Sequence, residues 1–417
     1  MKIGIVTTWF ERGAAYVSKQ YIDSLSKDNE IYIYARGGEK FAEDDENWNK
    51  YNVTWGDKKW GKDFSGETRE KNLNHFKKWV ADNKIEVVFF NEEHWWEPII
   101  FCGTAGIKTG AYVDYYTKET RPFFALYDFL ICNTKRHYEA FSWHDQAYYV
   151  PWGTDISLFK PQTYEVVDPE FVNFFHSAGM NPFRKGTDLL ISAFGKLKTN
   201  KVKLIIHTQV DLIVVFPKLA SLLQELEKNG SLITITKTVS APGLYYLGDV
   251  YVYPTRLEGI GLTIAEALAC GLPTIVPDNG PMNEFVSNDH GRLVKIKKYQ
   301  RRHDDYFWPE CIVDENSLVE SLDFFLKQKD LTSWKRKARD YAEKNLDWSV
   351  NSKALSEIFC SAIIISPDKK KDILSKVNSY ERMKTSKLRR LIHKISIMGL
   401  NFIPFFFKYL KKKISPK

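Results

Sequence analysis

The sequence predicts an α/β protein of two consecutive domains, each a parallel sheet covered by helices, followed by a basic C-terminal tail. Three observations lead to this fold class. A length of 417 residues exceeds what one ordinary core accommodates. Strand-like apolar runs alternate with helical patterns, which is the order typical of parallel sheets. The alternation also restarts once, after the Pro- and Gly-containing linker at residues 151–161.

The first predicted domain comprises residues 1–155. Its strand-like runs are "KIGIVTT", "EIYIYAR", "IEVVFFN", "GAYVDYY" and "DFLICN". Helical patterns cover "AAYVSKQYIDSLSK" and "REKNLNHFKKWVADN". Strands and helices therefore follow one another in the order expected of a parallel sheet.

The second predicted domain comprises residues 156–348 and has the same alternation. Its strand-like runs are "EFVNFFHSAG", "VKLIIHT", "SLITIT", "DVYVYP" and "LPTIVP". Helical patterns cover "GTDLLISAFGKLK", "FPKLASLLQELEKNG" and the stretch from Leu262 to Cys270, which Gly271 and Pro273 end. The cleft between two such domains is the expected binding site.

Composition excludes several other classes of protein. Hydrophobic residues make up 44% of the chain, enough for packed cores, and no uninterrupted apolar run approaches the length of a membrane span. The start, "MKIGIVTTWF", lacks the long apolar segment and the cleavage site of a signal peptide. Five isolated cysteines form neither a CxxC pair nor a metal-ligand spacing. A cytoplasmic location is therefore expected.

The net charge of +8 is concentrated in the tail. Residues 369–417 carry fifteen Lys and Arg against two acidic residues, so the preceding residues carry a net −5. No nucleic-acid partner is expected, because such proteins more often have their basic face on a folded domain. Apolar residues recur at helical spacing in the tail (Leu388, Leu391, Ile392 and Ile395). Residues 367–417 are therefore predicted to be an amphipathic anchor on the anionic inner face of the plasma membrane. The alternatives are a helix packed on the protein itself and a solvated tail.

The stretch "RLEGIGLTIAEALACGLP", residues 256–273, carries two carboxylates eight positions apart. Gly259 and Gly261 allow a tight turn, and the helix that follows presents free N–H groups that attract a phosphate. Glu258 and Glu266 flank that anion and are placed to accept hydrogen bonds from hydroxyls. A ligand with hydroxyls at both ends and phosphates between them is a nucleotide sugar. For either glutamate alone, a solvated position near a helix N-terminus is the alternative.

This stretch resembles the E-x7-E motif of the retaining glycosyltransferases of family 4, the group 1 transferases with the GT-B fold. "YVPWGTDISLFKP" is similar to the interdomain segment of that family, and "AGMNPFRKGTDLLISAF" is similar to its glycine- and lysine-containing segment. The resemblance is specific from about residue 150 to residue 293. It implies two Rossmann-like domains that face each other across a cleft, with residues 349–366 returning to the first domain as a helix.

The resemblance also assigns roles to individual residues. It implies that Glu258 contacts the donor sugar, that Glu266 contacts the ribose and that Lys185 neutralises the phosphates. The turn and the helix start are implied to bind the donor (Gly259, Ile260, Gly261, Leu262 and Thr263). No cofactor or metal is expected, because Lys185 and the helix terminus stand in for a cation.

One position departs from the pattern of the family. The arginine that usually follows the glycine of this segment is replaced by Met180. Arg184 is a donor-binding candidate that would supply the missing charge, although neighbours on a strand or helix point apart and would separate it from Lys185. A solvated pair at a helix start is the other interpretation of these two residues.

The first domain contributes weaker candidates. Gly13 occupies the place of the glycine-rich loop of the family and lets the backbone approach a phosphate or an acceptor. Asp114 ends a strand and is either a catalytic, sugar-orienting residue or a loop cap. Trp95 and Glu93 are predicted to bind the acceptor by stacking and by accepting hydroxyls. The alternative for "NEEHWWEP" is a Trp pair that packs under a loop.

The resemblance implies a retaining, metal-independent transferase that moves a hexosyl group from a UDP- or GDP-sugar to a glycan or lipid-linked acceptor, as in bacterial surface polysaccharide synthesis. The alternative is a non-catalytic nucleotide-sugar-binding subunit, suggested by Met180 and by Ala14 in the first loop. A dinucleotide-dependent oxidoreductase is disfavoured because "TTWFERGAA" offers no GxGxxG after the first strand. The spacing of "EEH" at residues 92–94 does not fit a zinc site.

Overall fold

The computed structural model describes residues 1–37, 39–56, 66–162 and 171–385. Among these residues, the first half of the chain forms a parallel sheet of seven strands in the order β3-β2-β1-β4-β5-β6-β7. The strands are β1 (Lys2–Thr7), β2 (Glu30–Ala35), β3 (Val53–Trp55), β4 (Val87–Asn91), β5 (Lys108–Tyr112), β6 (Phe129–Cys132) and β7 (Ala147–Tyr149).

Helices cover both faces of this sheet. They are α1 (Gly13–Leu25), α2 (Glu46–Asn49), α3 (Gly66–Asn83), α4 (Glu97–Thr104) and α5 (Lys135–Phe141). Strand β4, with the sequence VVFFN, is buried along its whole length. A continuous apolar run of this kind is expected for a central parallel strand with helices on both sides.

The second half of the chain repeats the architecture. Within the described residues its sheet has six parallel strands in the order β10-β9-β8-β11-β12-β13. The strands are β8 (Val172–Gly179), β9 (Val202–Thr208), β10 (Leu232–Thr236), β11 (Val250–Val252), β12 (Thr274–Pro277) and β13 (Gly291–Val294). An antiparallel hairpin follows, formed by β14 (Ile296–Gln300) and β15 (Glu310–Val313). The predicted pair of parallel-sheet α/β domains is thus confirmed, whereas the hairpin was not predicted.

The remaining helices belong to the second half and to the C-terminal segment. They are α6 (Thr187–Phe194), α7 (Leu212–Val215), α8 (Ala220–Lys228), α9 (Leu262–Ala269), α10 (Glu315–Leu326), α11 (Thr332–Asn345), α12 (Trp348–Asn351), α13 (Leu355–Ser361) and α14 (Pro367–Thr385). In each sheet the strand order reverses direction at one point, between β1 and β4 and between β8 and β11. The crevice outside the carboxyl ends of the strands at such a point is where α/β sheets bind ligands.

The chain crosses between the two domains twice, and the crossings lie side by side. Thr154 forms a parallel bridge with Asp347. A Cβ added to Gly153 would lie 2.6 Å from the carbonyl oxygen of Leu346, so only glycine permits this approach. Beyond the second crossing, the Trp348 indole N–H donates to the Gln20 carbonyl oxygen at 2.9 Å. Backbone contacts therefore hold the joint between the domains.

After the second crossing, the chain packs on the first domain. The Phe359 ring of α13 lies 5.0 Å from the ring of Phe89 in β4 and 4.9 Å from that of Phe129 in β6. The Lys108 ammonium donates to the carbonyl oxygens of Phe359 and Cys360. The first domain is therefore completed by residues from the end of the chain.

Helix α14 also packs on the first domain, although its residues were included in the predicted membrane tail. The Lys370 ammonium donates to the buried Asp128 carboxylate at 2.7 Å, Val377 is fully buried, and Glu381 forms an ion pair with Arg69. This part of the tail is thus the helix packed on the protein itself that the sequence left as an alternative. The residues of the proposed apolar stripe, from Leu388 onward, lie outside the described residues.

Among the helices of the described residues, none combines the length and the apolar character that crossing a membrane requires.

We predict that Gly153→Ala lowers the free energy of unfolding by about 1–3 kcal/mol, because the new methyl group collides with backbone atoms that side-chain rotation cannot move. Gly103→Ala in helix α4 is the control, since a Cβ there meets nothing within 4 Å. It should stabilise the helix by about 0.5–1 kcal/mol. Urea unfolding of the two variants measures the contrast, and equal midpoints would contradict the close crossing.

Candidate active site

The candidate site lies where the carboxyl ends of the strands of both sheets face each other. A cavity of about 590 Å³ opens there, lined from the first domain by Gly13 and Asp114 and from the second by Lys185, Glu258 and Gly261. These residues follow β1, β5, β8 and β11. The tertiary structure therefore collects at one cleft several residues that are far apart in the sequence.

Glu258 lies in the cleft and accepts hydrogen bonds from four side chains. Its Oε1 atom accepts hydrogen bonds from Arg184 (3.1 Å), Lys185 (2.9 Å), Tyr253 (3.0 Å) and Thr255 (2.7 Å). Burial opposes ionisation, but the two cations and these hydrogen bonds outweigh it and lower the pKa of Glu258 to about 2. The carboxylate is therefore ionised at neutral pH and fixed in one orientation.

Arg184 and Lys185 reach the same carboxylate oxygen although they are adjacent in the sequence. The expectation that they would point apart is wrong, because they lie in a turn between β8 and α6 rather than on a strand or helix. Burial and the neighbouring Arg184 lower the pKa of Lys185 to about 8. Glu258 raises the pKa of Arg184. The pair thus forms a cationic centre within the cleft.

The turn that carries these cations is locked against the segment that carries Glu258. Gly186 has φ +73°, and a Cβ there would lie 2.0 Å from the Pro254 carbonyl oxygen. Arg256 forms a bidentate ion pair with Asp188 at 2.8 and 2.7 Å. These contacts determine where Lys185 lies relative to Glu258.

Met180 is 77% exposed, at the end of β8. Its side chain supplies no charge, and the described ion pairs to Glu258 come from Arg184 and Lys185. Both cations of this loop therefore lie four and five residues beyond the position where the family pattern expects an arginine.

Helix α9 begins at the cleft immediately after the glycine turn. Gly261 has φ +94° and caps the helix in the left-handed conformation, which favours glycine. The backbone N–H groups of Leu262 and Thr263 belong to the first turn, where no intrahelical acceptor is available. Ile260 is buried beside them. The arrangement presents backbone donors and the positive end of the helix dipole to an anion.

Glu266 lies one helical turn further and lines a second cavity of about 380 Å³. Leu262 and Thr263 line both cavities, so the two are adjacent along α9. The Tyr245 hydroxyl donates to Glu266 at 2.5 Å. Burial raises the pKa of Glu266, and this hydrogen bond opposes the rise. The two carboxylates of the motif therefore line different cavities, which share Leu262 and Thr263.

Asp114 faces the glycine turn from the first domain. Burial and the neighbouring Glu92 carboxylate raise the pKa of Asp114 well above its ordinary value, and the two side chains share a hydrogen bond. A Cβ on Gly259 would lie 1.9 Å from Asp114 Oδ1, so Gly259 is required for this close approach. Gly13 lies on the same side, and a Cβ there would be 3.7 Å from Leu262. The domains approach each other closely at the start of α9.

The prediction that Trp95 offers a stacking surface needs correction. Trp95 is 2% exposed and belongs to the core of the first domain, with the Arg69 guanidinium 5.4 Å from its ring. Glu93 accepts from the backbone N–H groups of His94 and Trp95 at 2.8 Å each and pairs with Arg36. Glu93 therefore binds backbone N–H groups of its own loop, and the Trp95 ring is buried in the core of the first domain.

Sequence reasoning missed several residues of the site. Tyr253 and Thr255 donate to Glu258, and Tyr245 donates to Glu266. Tyr253 and Thr255 follow strand β11, and Tyr245 precedes it. Their closeness in sequence to the two glutamates is the only signal by which they could have been predicted. Tyr306, from the hairpin β14–β15, also lines the cleft. No local pattern indicates that contact, because it forms between domains.

Among the described residues, no group of three or more His, Cys, Asp or Glu side chains is arranged to hold a metal ion.

Comparison with known proteins identifies the family of the second domain. Residues 172–301 match the family described as glycosyl transferases group 1. The second domain is a group 1 glycosyltransferase domain. The matched range contains Lys185, Glu258 and Glu266, so the three strongest candidates lie within the group 1 domain.

One curated protein also matches part of the chain. A probable sucrose-phosphate synthase from Thermosipho melanesiensis is 24% identical over 210 residues, which cover 44% of this chain and 49% of the relative. The chain therefore spans about half the length of the curated relative that it matches.

Two solved structures match nearly the whole described chain. A glycosyltransferase from Rickettsia africae has a TM-score of 0.69 at 13% identity, with 86% of this chain and 97% of that chain covered. HepE of Anabaena, solved with UDP and glucose, has a TM-score of 0.64 at 15% identity, with coverage of 87% and 100%. This likeness concerns the fold, and the expected GT-B fold is confirmed.

We predict that the Glu258 network stabilises the group 1 domain in a pH-dependent way. The pKa of Glu258 is lowered from 4.5 to about 2, so its contribution of about 3 kcal/mol is present above pH 4.5 and is lost as the pH falls towards 2. Glu258→Gln should therefore lower the unfolding free energy at pH 7 by about that amount, and the difference should shrink at pH 3.

Urea unfolding at the two pH values measures this effect. Glu225→Gln on the exposed face of α8 is the control and should change stability by less than about 0.5 kcal/mol. A Glu258→Gln penalty that is the same at pH 7 and pH 3 would show that the charge of Glu258 is not the stabilising feature.

Proposed function

We propose that this protein is a retaining glycosyltransferase that moves a hexosyl group from a UDP- or GDP-sugar to a glycan or lipid-linked acceptor. The observation that carries the proposal is the arrangement around α9. Glu258 lies before the helix, the first-turn N–H groups lie at its start, and Glu266 lines the cavity beyond it. This order corresponds to the order of sugar, diphosphate and ribose along a nucleotide sugar.

The diphosphate is assigned to the start of α9. The N–H groups of Leu262 and Thr263 would donate to it, and Lys185 and Arg184 approach from the facing turn. Glu266 would accept hydrogen bonds from the ribose hydroxyls in the adjoining cavity. The Anabaena structure with UDP and glucose supports this class of donor, because it has the same fold.

The chemistry assigned to the cleft requires positive charge at the leaving group. The bond between the anomeric carbon and the β-phosphate oxygen breaks, and the acceptor hydroxyl forms the new bond on the same face of the sugar. The acceptor proton passes to a phosphate oxygen of the departing diphosphate. Lys185, Arg184 and the dipole of α9 meet the growing negative charge, so the reaction as proposed uses neither a metal nor a cofactor.

Glu258 and Asp114 are assigned to the sugar. In this proposal Glu258 accepts hydrogen bonds from sugar hydroxyls as charge develops at the anomeric carbon. Asp114, whose pKa is raised, would donate a proton in a hydrogen bond to the sugar from the opposite side of the cleft. The pair would therefore orient the sugar from both domains.

We predict that a UDP- or GDP-sugar stabilises the protein against heat, by about 2.7 kcal/mol at 100 times its dissociation constant. Glu266→Gln should weaken binding of the nucleoside diphosphate itself, because the ribose contact is present in the ground state. Glu258→Gln should leave that binding unchanged or tighter, since Lys185 and Arg184 lose a competing carboxylate. Its turnover should fall by on the order of 10²-fold.

A thermal-shift screen over UDP-, GDP- and ADP-sugars, followed by donor hydrolysis, provides the measurements. Near-normal turnover in Glu258→Gln would contradict the proposal that Glu258 binds the donor sugar. Donor binding without any turnover would instead favour the non-catalytic subunit.

We also propose that the acceptor lies at a membrane, as in bacterial surface polysaccharide synthesis. The support is the sequence of residues 386–417, which lie outside the described residues and directly follow α14. Their basic and apolar side chains suit the anionic inner face of the plasma membrane. Because α14 is docked on the first domain, this tail would hold that domain close to the lipid surface.

We predict that the full chain co-sediments with vesicles that contain anionic phospholipid and that a truncation after Thr385 does not. This end point retains α14, so the first domain keeps its packed helix. Each basic residue near the surface contributes about 1 kcal/mol, so binding should weaken steeply with salt. Vesicles of neutral lipid alone are the control. If the full chain and the truncated protein co-sediment with the vesicles equally, the proposal of a membrane-bound acceptor is wrong.

A further inference from the structure

Three hydrogen bonds in series connect the hairpin of the second domain, the first domain and the glycine turn before α9. The indole nitrogen of Trp308, within residues 301–309 between β14 and β15, lies 2.7 Å from the Tyr116 hydroxyl oxygen. That oxygen lies 3.0 Å from His137 Nδ1, and His137 Nε2 lies 3.1 Å from the Gly259 carbonyl oxygen. The series therefore begins and ends in the second domain and passes through the first.

The direction of each hydrogen bond in the series follows from the groups at its two ends. An indole nitrogen only donates, so the Tyr116 oxygen accepts from Trp308 and offers its own proton to His137 Nδ1. A carbonyl oxygen only accepts, so His137 Nε2 carries a proton and donates it to Gly259. Burial lowers the pKa of His137 to about 3, so the ring is neutral and carries one proton. Both ends therefore require the same tautomer.

The middle of the series is shielded from water. Tyr116 is fully buried and His137 is 1% exposed. The Tyr116 ring packs edge-on against Phe141 with centroids 4.7 Å apart. A buried donor without a partner costs about 1–3 kcal/mol, so the imidazole N–H needs an acceptor in this position. The second domain supplies that acceptor through the Gly259 carbonyl oxygen.

Helix α5, which carries His137, is also bound to the second domain at its start. The Glu284 carboxylate accepts from the Lys135 N–H at 2.6 Å and from the Arg136 N–H at 2.9 Å. The His137 N–H donates to the Thr134 hydroxyl at 3.2 Å. The first N–H groups of the helix are thus all bonded, and a carboxylate of the other domain binds two of them. This contact fixes where the His137 ring lies relative to the glycine turn.

The glycine turn needs a restraint from outside its own sequence. Asp114 leaves no room for a side chain at Gly259, so side-chain packing cannot hold the turn there. Gly261 follows with φ +94°, and glycine backbones adopt many conformations. The hydrogen bond from His137 holds the Gly259 carbonyl group. Because a peptide unit is planar, this bond also orients the N–H of Ile260.

We propose that His137 is a positioning residue of the glycine turn. It holds Gly259 from the first domain, so that the N–H groups at the start of α9 are ordered for a phosphate when the domains are closed. The proposal rests on the proposed function, which assigns the diphosphate to the start of α9. It adds that a first-domain residue outside the lining of the cleft controls diphosphate binding. Tyr116 and Trp308 act through His137, because they fix its tautomer.

Three variants separate this role from a general effect on stability. His137→Leu removes the donor, whereas His137→Gln keeps an amide N–H that can reach Gly259. His144→Leu is the matched control, because His144 is also buried, accepts at Nδ1 from the Gln146 backbone N–H and donates from Nε2 to the Tyr127 carbonyl oxygen. None of these three control residues lines the cleft.

Two measurements on the full chain test the proposal. Hydrogen–deuterium exchange of the ligand-free proteins reports on the amides of residues 257–264. Calorimetric titration compares UDP and GDP with uridine and guanosine, which lack phosphate. We expect His137→Leu to exchange this segment about fivefold faster and to bind the nucleoside diphosphate about fivefold more weakly, with nucleoside binding unchanged. His137→Gln should restore both values to within about twofold, and His144→Leu should change neither.

Circular dichroism shows whether each variant is folded, and His137→Met replaces His137→Leu if the leucine variant is not. Wild-type exchange together with wild-type diphosphate binding in the folded variant would overturn the proposal. An equal effect in His144→Leu would overturn it as well, because general destabilisation would then be the cause. Failure of the wild type to bind UDP or GDP would instead contradict the proposed function. The exchange measurement needs no ligand and would still decide whether His137 orders the turn.

Discussion

The cleft between the domains depends on one buried carboxylate, Glu258, and on the cations that neutralise it. A carboxylate in this position is unstable without a partner, because burial alone would drive its pKa upward. Lys185 and Arg184 prevent this, and they come from a turn more than seventy residues earlier in the chain. The ion pairs therefore require the turn after β8 and the segment after β11 to meet within hydrogen-bond distance. Gly186 permits that approach, because any side chain would collide with Pro254.

The charged groups of the cleft are divided between the two domains. Cations and the positive end of α9 belong to the second domain, whereas Asp114 and Glu92 face them from the first. Asp114 approaches Gly259 so closely that the two domains leave no room for a side chain at that position. A ligand at the start of α9 therefore meets carboxyl groups on the side of the first domain and cations and backbone N–H groups on the side of the second domain. This polarity suits a ligand with a diphosphate at one position and hydroxyls at the next.

Contacts between the two domains limit how the cleft opens. The paired crossings near Thr154 form one joint, and helices α13 and α14 return residues of the chain's end to the first domain. The hairpin adds a contact on the far side of the cleft through Phe307 and Trp308. Opening the cleft would break these hydrogen bonds, each worth roughly 1 kcal/mol. The hairpin therefore favours the conformation in which both domains line the cavities.

The sequence by itself determined the two parallel sheets and the motif residues, because apolar periodicity, glycine turns and the spacing from Glu258 to Glu266 are local properties of the chain. Only the tertiary structure decided that Arg184 and Lys185 share one carboxylate, that Trp95 is core, and that the hairpin forms a wall of the cleft. Such outcomes depend on contacts between residues many positions apart. A loop has no period that fixes the direction of its side chains, and burial is set by whichever segment packs on top.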